Sequence, residues 1–159
     1  MRRILIFGNS GSGKSTLARK LQREEGIPHL DLDTLAWRPD APTTRAPLEV
    51  SERAIREFQA HSRGWVIEGC YADLLERAAP DATEMIFLDL PAEACIENAR
   101  RRPWEPHKYE SPEAQNANLE MLVEWIAGYD SREDALSRKA HEALFSSFAG
   151  TRVRLNRTG

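Results

Sequence analysis

The sequence predicts an α/β domain built on a parallel sheet with helices packed on both faces. Three observations carry this expectation. Short, continuously apolar runs recur along the chain, helical patterns of several turns fill the gaps between them, and the first run leads into a glycine-rich loop that opens a helix. Strands covered on both faces read as unbroken β-formers, and strands separated by helices of this length run parallel.

In chain order, Arg3-Ile4-Leu5-Ile6-Phe7 is the first such strand. Ser15 to Glu25 follows as a helix with Leu17, Ala18 and Leu21 on one face and Gly26 as its stop. His29-Leu30-Asp31-Leu32-Asp33 alternates behind Pro28 and reads as a second strand with both aspartates on one face. Leu48 to Arg63 is a helix carrying Ala54, Ile55 and Phe58. Trp65-Val66-Ile67 is a third strand between Gly64 and Gly69, and Met85-Ile86-Phe87-Leu88 is a fourth. Ala92 to Arg102 follows Pro91, which suits a first helical turn. Ser131 to Phe148 carries Leu136, Ala140, Ala143, Leu144 and Phe148 at helical spacing, and Arg152-Val153-Arg154-Leu155 reads as an edge strand. Two proline-rich stretches, Trp37 to Pro47 and Pro103 to Pro112, lack a pattern; in a chain this small such segments usually serve as lids or binding loops.

Composition bounds the function. At 159 residues the chain is one domain's worth, read as a single unit over 1–159 with a lid segment at about 103–118. It is 41% hydrophobic with a net charge of −3, a balance that argues against nucleic acid as the main partner, because phosphate neutralisation needs a basic surface. No apolar run approaches the length of a membrane span, and the N-terminal run is too short for a signal peptide, so cytoplasmic residence is the expectation. Cys70 and Cys95 form neither a disulfide framework nor a metal-ligand spacing.

The chemistry concentrates at Gly8-Asn9-Ser10-Gly11-Ser12-Gly13-Lys14-Ser15, a full match to Gly-x4-Gly-Lys-Ser/Thr that follows a buried strand and opens a helix. Glycines let the backbone curl so that successive N–H groups point at phosphate oxygens. Gly8, Ser10, Gly11, Ser12, Gly13, Lys14, Ser15 and Thr16 are therefore the expected nucleotide-binding residues, with Lys14 on the β- and γ-phosphates and the Ser15 hydroxyl on Mg²⁺. Carboxylates mid-strand on a covered sheet would be costly unless they border water, a metal or a cation. Asp31, Asp33 and Glu68 all fall at carboxyl ends of strands, where open α/β sheets bind ligands. Asp31 and Glu68 are candidates to join Ser15 around the metal. Arg100, Arg101 and Arg102 close a helix, where the macrodipole favours positive charge, and open a basic flap with Trp104, His107 and Lys108; Arg102 is the candidate nucleotide contact. Ser131-Arg132-Glu133-Asp134 looks like a capping box that would put Arg132, a cation, in a first helical turn where it is electrostatically misplaced; that points to a phosphate contact. His29, His61 and His141 have no neighbouring nucleophile or ligand set and read as surface or helix-face residues. Cys70 reads as a small buried hydrophobe, Trp65 and Trp125 as core, and Trp37 and Trp104 as candidates to line a pocket.

Taken together, the N-terminal loop, Asp31-Leu32-Asp33, Glu68-Gly69, Leu88-Asp89-Leu90-Pro91 and the basic flap resemble the P-loop small-molecule kinases, among them the adenylate, shikimate and gluconate kinases. Leu32-Asp33-Thr34-Leu35-Ala36-Trp37-Arg38-Pro39, Trp65-Val66-Ile67-Glu68-Gly69-Cys70-Tyr71 and Phe87-Leu88-Asp89-Leu90-Pro91 are similar to the adenylate-kinase-related topology modulation proteins. The resemblance implies a three-layer P-loop NTPase fold, a five-stranded parallel sheet in the order 2-3-1-4-5 and a lid after the fourth helix. It also implies that Asp33 contacts the phosphoryl acceptor and Arg132 the transferring phosphate. Glu68 stands where these kinases usually carry aspartate, and Asn98 where related sequences tend to carry arginine. The expected activity is an ATP- and Mg²⁺-dependent phosphotransferase acting on a small-molecule acceptor, as a monomer or homodimer. The alternative from another class is a nucleotide-binding regulator with a macromolecular partner.

Overall fold

In the computed structural model, which describes residues 1–157, strand β1 (Arg3–Gly8) runs through the middle of a five-stranded parallel sheet. Alternate side chains of β1 feed opposite faces. Leu5 and Phe7 join Trp65, Ile67, Met85 and Phe87 in one core cluster, while Ile4 and Ile6 join Val66, Ile86 and Leu88 in the other. Burial on both sides is why these runs carry no polar alternation.

Helix α1 (Lys14–Glu25) crosses to β2 (His29–Asp31), and Gly26 ends it in the left-handed conformation at φ 66°. A short 3₁₀ turn (Leu32–Thr34) comes next, then a hairpin of β3 (Trp37–Arg38) and β4 (Ala41–Arg45), and α2 (Leu48–Ala60). Strand β5 (Trp65–Glu68), helix α3 (Ala72–Ala78), β6 (Glu84–Leu88) and α4 (Ala92–Arg101) complete the central crossovers. Helices α5 (Pro112–Ala117), α6 (Leu119–Ala127) and α7 (Arg138–Ser147) lead to the edge strand β7 (Thr151–Leu155). The sheet order is β2-β5-β1-β6-β7, and the separate hairpin pairs β3 with β4. Counted among the parallel strands alone, this is the expected 2-3-1-4-5; the hairpin, unforeseen, shifts the chain numbering by two.

Several other elements differ from the sequence reading. The second strand ends at Asp31, so Asp33 lies on the 3₁₀ turn rather than on a strand face; the Asp31 carboxylate accepts from the Asp33 N–H at 2.9 Å and draws the chain out of the sheet. The last long helix begins at Arg138, capped by Ser137, whose hydroxyl accepts from the Ala140 N–H at 3.1 Å. Ser131 instead donates to the Gly128 carbonyl, so the 131–134 capping box does not form and Arg132 stands in a connecting loop. Helices α3, α5 and α6 form in stretches where the sequence predicts no element.

Candidate functional site

The loop between β1 and α1 is built from glycine geometry. Gly11 and Gly13 take φ of 79° and 93°, which side-chain-bearing residues rarely adopt. A Cβ on Gly11 would lie 2.4 Å from the Cys95 carbonyl oxygen, so the loop rests directly on α4. Two amide side chains fasten it. Asn98 on α4 donates to the Gly11 carbonyl at 2.8 Å, and the buried Asn9 donates to the Ile126 carbonyl at the end of α6 at 3.1 Å. Lys14 folds back to donate to the Asn9 carbonyl at 2.7 Å.

The start of α1 fits a bound anion. No side chain caps it, its first turn holds no acidic residue, and Lys14 adds a cation where the helix dipole is already positive. Open N–H groups at a positive helix end form a phosphate site.

Glu68, at the end of β5 and 2% exposed, gathers the next group. One of its oxygens, Oε2, accepts from the Ser15 hydroxyl at 2.7 Å and lies 2.9 Å from His29 Nε2. His29 is thus half-buried beside a carboxylate rather than a solvated surface residue. Asp31 is the parallel-strand partner of Glu68. Burial and the neighbouring charges of Glu68 and Asp33 raise its pKa. Among the described residues no set of three His, Cys, Asp or Glu is arranged to hold a metal alone. An oxygen-rich trio of Ser15, Asp31 and Glu68 still suits Mg²⁺, which typically takes one or two carboxylates and completes its shell with water and phosphate.

Asp33 forms the far side of the site. Its Oδ1 accepts from the Tyr71 hydroxyl at 2.5 Å, and its Oδ2 lies 3.1 Å from Lys108 Nζ. Burial alone would push its pKa up, but Lys108, the Tyr71 hydrogen bond and Lys14 outweigh it and hold the carboxyl below its ordinary value. Lys108 also reaches Asp31 at 3.6 Å and Glu105 at 3.7 Å. The segment expected to be a lid therefore touches Asp33. That segment is braced internally: Trp104 Nε1 donates to the Tyr109 carbonyl, Gln115 accepts from the Glu105 N–H, and Asn118 donates to the Tyr109 hydroxyl. Trp37, on the hairpin, donates to the Tyr71 hydroxyl at 2.9 Å.

Not every expected residue joins this group. Arg102 forms the C-cap of α4 and pairs with Glu105 at 3.3 Å. Arg132 stacks over the Trp125 ring at 3.7 Å and donates to the Trp125 carbonyl, while its buried Nε has no partner among the described residues. Trp125 is 37% exposed, against the expectation of a core position. His141 lies on a helix, as one of its two expected readings has it, but is fully buried rather than at the surface. Its Nε2 donates to the Cys70 carbonyl at 2.8 Å, and its Nδ1 accepts from the Tyr129 hydroxyl at 2.6 Å. Burial pushes the Cys70 thiol up to about 12, in keeping with an inert packed cysteine. Tyr71, Lys108 as a partner of Asp33, and His29 are the site residues that sequence reasoning missed. Their partners lie 38, 75 and 39 positions away, with no local pattern to betray them.

A phosphate-accepting loop at the head of β1 in a 2-3-1-4-5 sheet defines a P-loop nucleotide-binding domain with a small-molecule-kinase type of fold. A family model described as an AAA domain matches residues 4–121, and the chain belongs to that family. A crystal structure of an unliganded sugar kinase from Janibacter sp. HTCC2649 superposes with a TM-score of 0.55 at 16% identity, covering 98% of this chain and 85% of that one. Shikimate kinase from Bacteroides thetaiotaomicron gives a TM-score of 0.48 at 15% identity, over 90% of this chain and 93% of that one. The uncharacterized protein YqaC of Bacillus subtilis (strain 168) is 24% identical over 142 residues, 87% of this chain and 79% of that protein. Among the described residues no helix is long and apolar enough to cross a membrane.

Proposed function

We propose that this chain is a Mg²⁺-dependent phosphotransferase that moves the γ-phosphoryl group of ATP to a small-molecule acceptor. The observation that carries the reading is Asp33. An ionised carboxylate stands within the field of Lys14, across from the uncapped start of α1, and is touched by the segment that would close over it. Phosphoryl transfer asks for positioning and charge stabilisation more than for covalent chemistry from the protein. Backbone N–H groups of Gly11 to Ser15 and the Lys14 ammonium would hold the β- and γ-phosphates, with Ser10 and Thr16 bordering them. Mg²⁺, held by Ser15 with Asp31 and Glu68 through its water shell, would neutralise charge on the phosphates. Asp33 would orient the acceptor and take its proton late in transfer. Arg132, which pairs with no carboxylate among the described residues, would meet the transferring group, and Arg102 would close the nucleotide side. The 103–118 segment would act as the lid.

The test is a screen of ATP consumption against nucleosides, nucleotides, sugars and hydroxy acids, repeated with Asp33→Asn. Asparagine keeps the size and loses the charge. ATP affinity, followed by fluorescence of the nearby Trp37, should persist while transfer to the acceptor collapses. No acceptor in the screen, together with unchanged ATP binding and basal hydrolysis in Asp33→Asn, would remove the reading's support.

A further inference from the structure

The hydrogen bonds around Asp33 leave it a single exchangeable oxygen. An indole N–H can only donate, so the 2.9 Å contact from Trp37 makes the Tyr71 oxygen an acceptor there. The Tyr71 proton is then committed to Asp33 Oδ1, 2.5 Å away. Tyr71 is itself pinned. The carbonyl of Cys70 before it accepts from His141, the N–H of Ala72 after it donates to the Ala135 carbonyl at 2.9 Å, and the Arg45 guanidinium lies 4.8 Å over its ring. Gly69 permits the approach. A Cβ there would come 2.8 Å from Leu32 Cβ, so the turn after β5 can press against the 3₁₀ turn that carries Asp33. Oδ1 is thereby held from the packed interior. Among the described residues Oδ2 holds only Lys108, which arrives from the 103–111 segment.

We propose that Tyr71 is a positioning residue that presents Asp33 to the acceptor as one proton-accepting oxygen, Oδ2, and that the phosphoryl acceptor is accordingly an alcohol rather than a phosphate ester. This rests on the phosphotransferase reading above. The alcohol hydroxyl takes the place of Lys108 and donates to Oδ2. In transfer its oxygen forms the new bond to the γ-phosphorus. The bond from that phosphorus to the β,γ-bridging oxygen breaks, ADP leaves with the electron pair, and the hydroxyl proton ends on Asp33. A phosphate ester brings anionic oxygens instead. It would have little proton to offer Oδ2 and would confront Asp31, Asp33 and Glu105, among which the charge of Lys108 is already shared. Both arginines of the hairpin are already engaged: Arg45 has one terminal nitrogen 3.1 and 3.2 Å from the two oxygens of Asp73, and Arg38 pairs with Asp40 at 3.0 Å.

The test has two arms. The chain has four tryptophans, so four indole N–H signals appear in a ¹⁵N–¹H spectrum, and Trp37→Phe assigns the one of interest. A phenol donating to an anion is a stronger acceptor than one donating to a neutral amide. Asp33→Asn should therefore move the Trp37 indole proton upfield although Tyr71 stands between them, and Tyr71→Phe should move it further. A Trp37 signal that ignores Asp33→Asn overturns the role of Tyr71. In the second arm, MgATP is offered with a panel of sugars, nucleosides and hydroxy acids and, separately, with nucleoside monophosphates. Alcohols should be phosphorylated, and Tyr71→Phe, which keeps the ring, should lower kcat about tenfold or more with the KM for ATP unchanged. Faster turnover of a nucleoside monophosphate than of any alcohol overturns the acceptor class. If neither class turns over while the Trp37 shift is present, the phosphotransferase reading and the acceptor class fall, and the hold of Tyr71 on Asp33 stands.

Discussion

Lowering the pH from 7.5 to 4.5 should remove a defined part of the stability of this fold through one residue, His141. Its ring lies edge-on to Phe7 and Phe87, with one nitrogen donating to Cys70 and the other accepting from Tyr129. Protonation would strip Tyr129 of its acceptor and bury a cation near Lys14 and Arg132. Burial, with the charges of Lys14 and Arg132 adding to it, outweighs the hydrogen bond to Cys70 and pushes the pKa from 6.5 to about 4. The folded chain thus prefers the neutral ring. Its contribution is complete above pH 6.5, declines as the unfolded chain takes up a proton below that value, and levels off near pH 4. The gap, at about 1.36 kcal/mol per pH unit, amounts to about 3 kcal/mol at its limit and somewhat less by pH 4.5. Urea denaturation of wild type and His141→Gln at both pH values isolates the effect, because glutamine can donate to Cys70 and accept from Tyr129 but does not titrate. The stability difference between the two proteins should shrink by about 2–3 kcal/mol on acidification, while carboxylate titrations common to both cancel. A difference constant with pH, or a His141 NMR titration midpoint near 6.5, would refute the argument.

Two other outcomes are open to measurement. Lys14→Ala should lower phosphoryl transfer by about 10²–10³-fold, the scale of losing one preorganised donor, and turnover within a few-fold of wild type would reject its role. Lys108→Met should speed amide exchange across residues 102–111 of the ligand-free protein by about tenfold, the scale of one charge-assisted hydrogen bond, with Mg²⁺ and a non-hydrolysable ATP analogue restoring protection. Unchanged exchange would mean that Trp104, Gln115 and Asn118 hold the segment without help from Asp33.

What the sequence disclosed follows from the range over which each signal acts. The loop at Gly8 to Ser15 and the buried strands are written in neighbouring residues, and the sheet order matches the resemblance they support. The hairpin at Trp37 to Arg45 escaped because its strands are short, with Pro39 in the turn between them and Pro42 inside the second. Helix α6 was legible in principle. Leu119, Leu122, Val123 and Ile126 fall at helical spacing, but they sit just beyond the proline-rich stretch and were not given an element. The helix expected from Ser131 begins at Arg138: both serines offer a cap, Ser137 supplies it, and the Arg138 N–H donates to the Tyr129 carbonyl at 3.2 Å. Within the site, Lys14, Ser15 and Glu68 were found by position. The helix dipole that singles out Arg132 in the sequence is absent, and what sets the residue apart in the structure is its lack of a carboxylate partner among the described residues.

The two asparagines that fasten the phosphate loop also determine what kind of object the 103–118 segment is. Asn98 sits on α4, which leads into the segment, and Ile126, held by Asn9, at the far end of α6, which leads out of it, so the helices on both sides are tied to one loop. The segment is a closed span between fixed anchors, and its closure entropy grows only with the logarithm of its length. Doubling it would cost about 0.6 kcal/mol in closure. Longer or differently composed spans could therefore be grafted between Arg102 and Asn118 without loosening the glycine-rich loop at the start of α1.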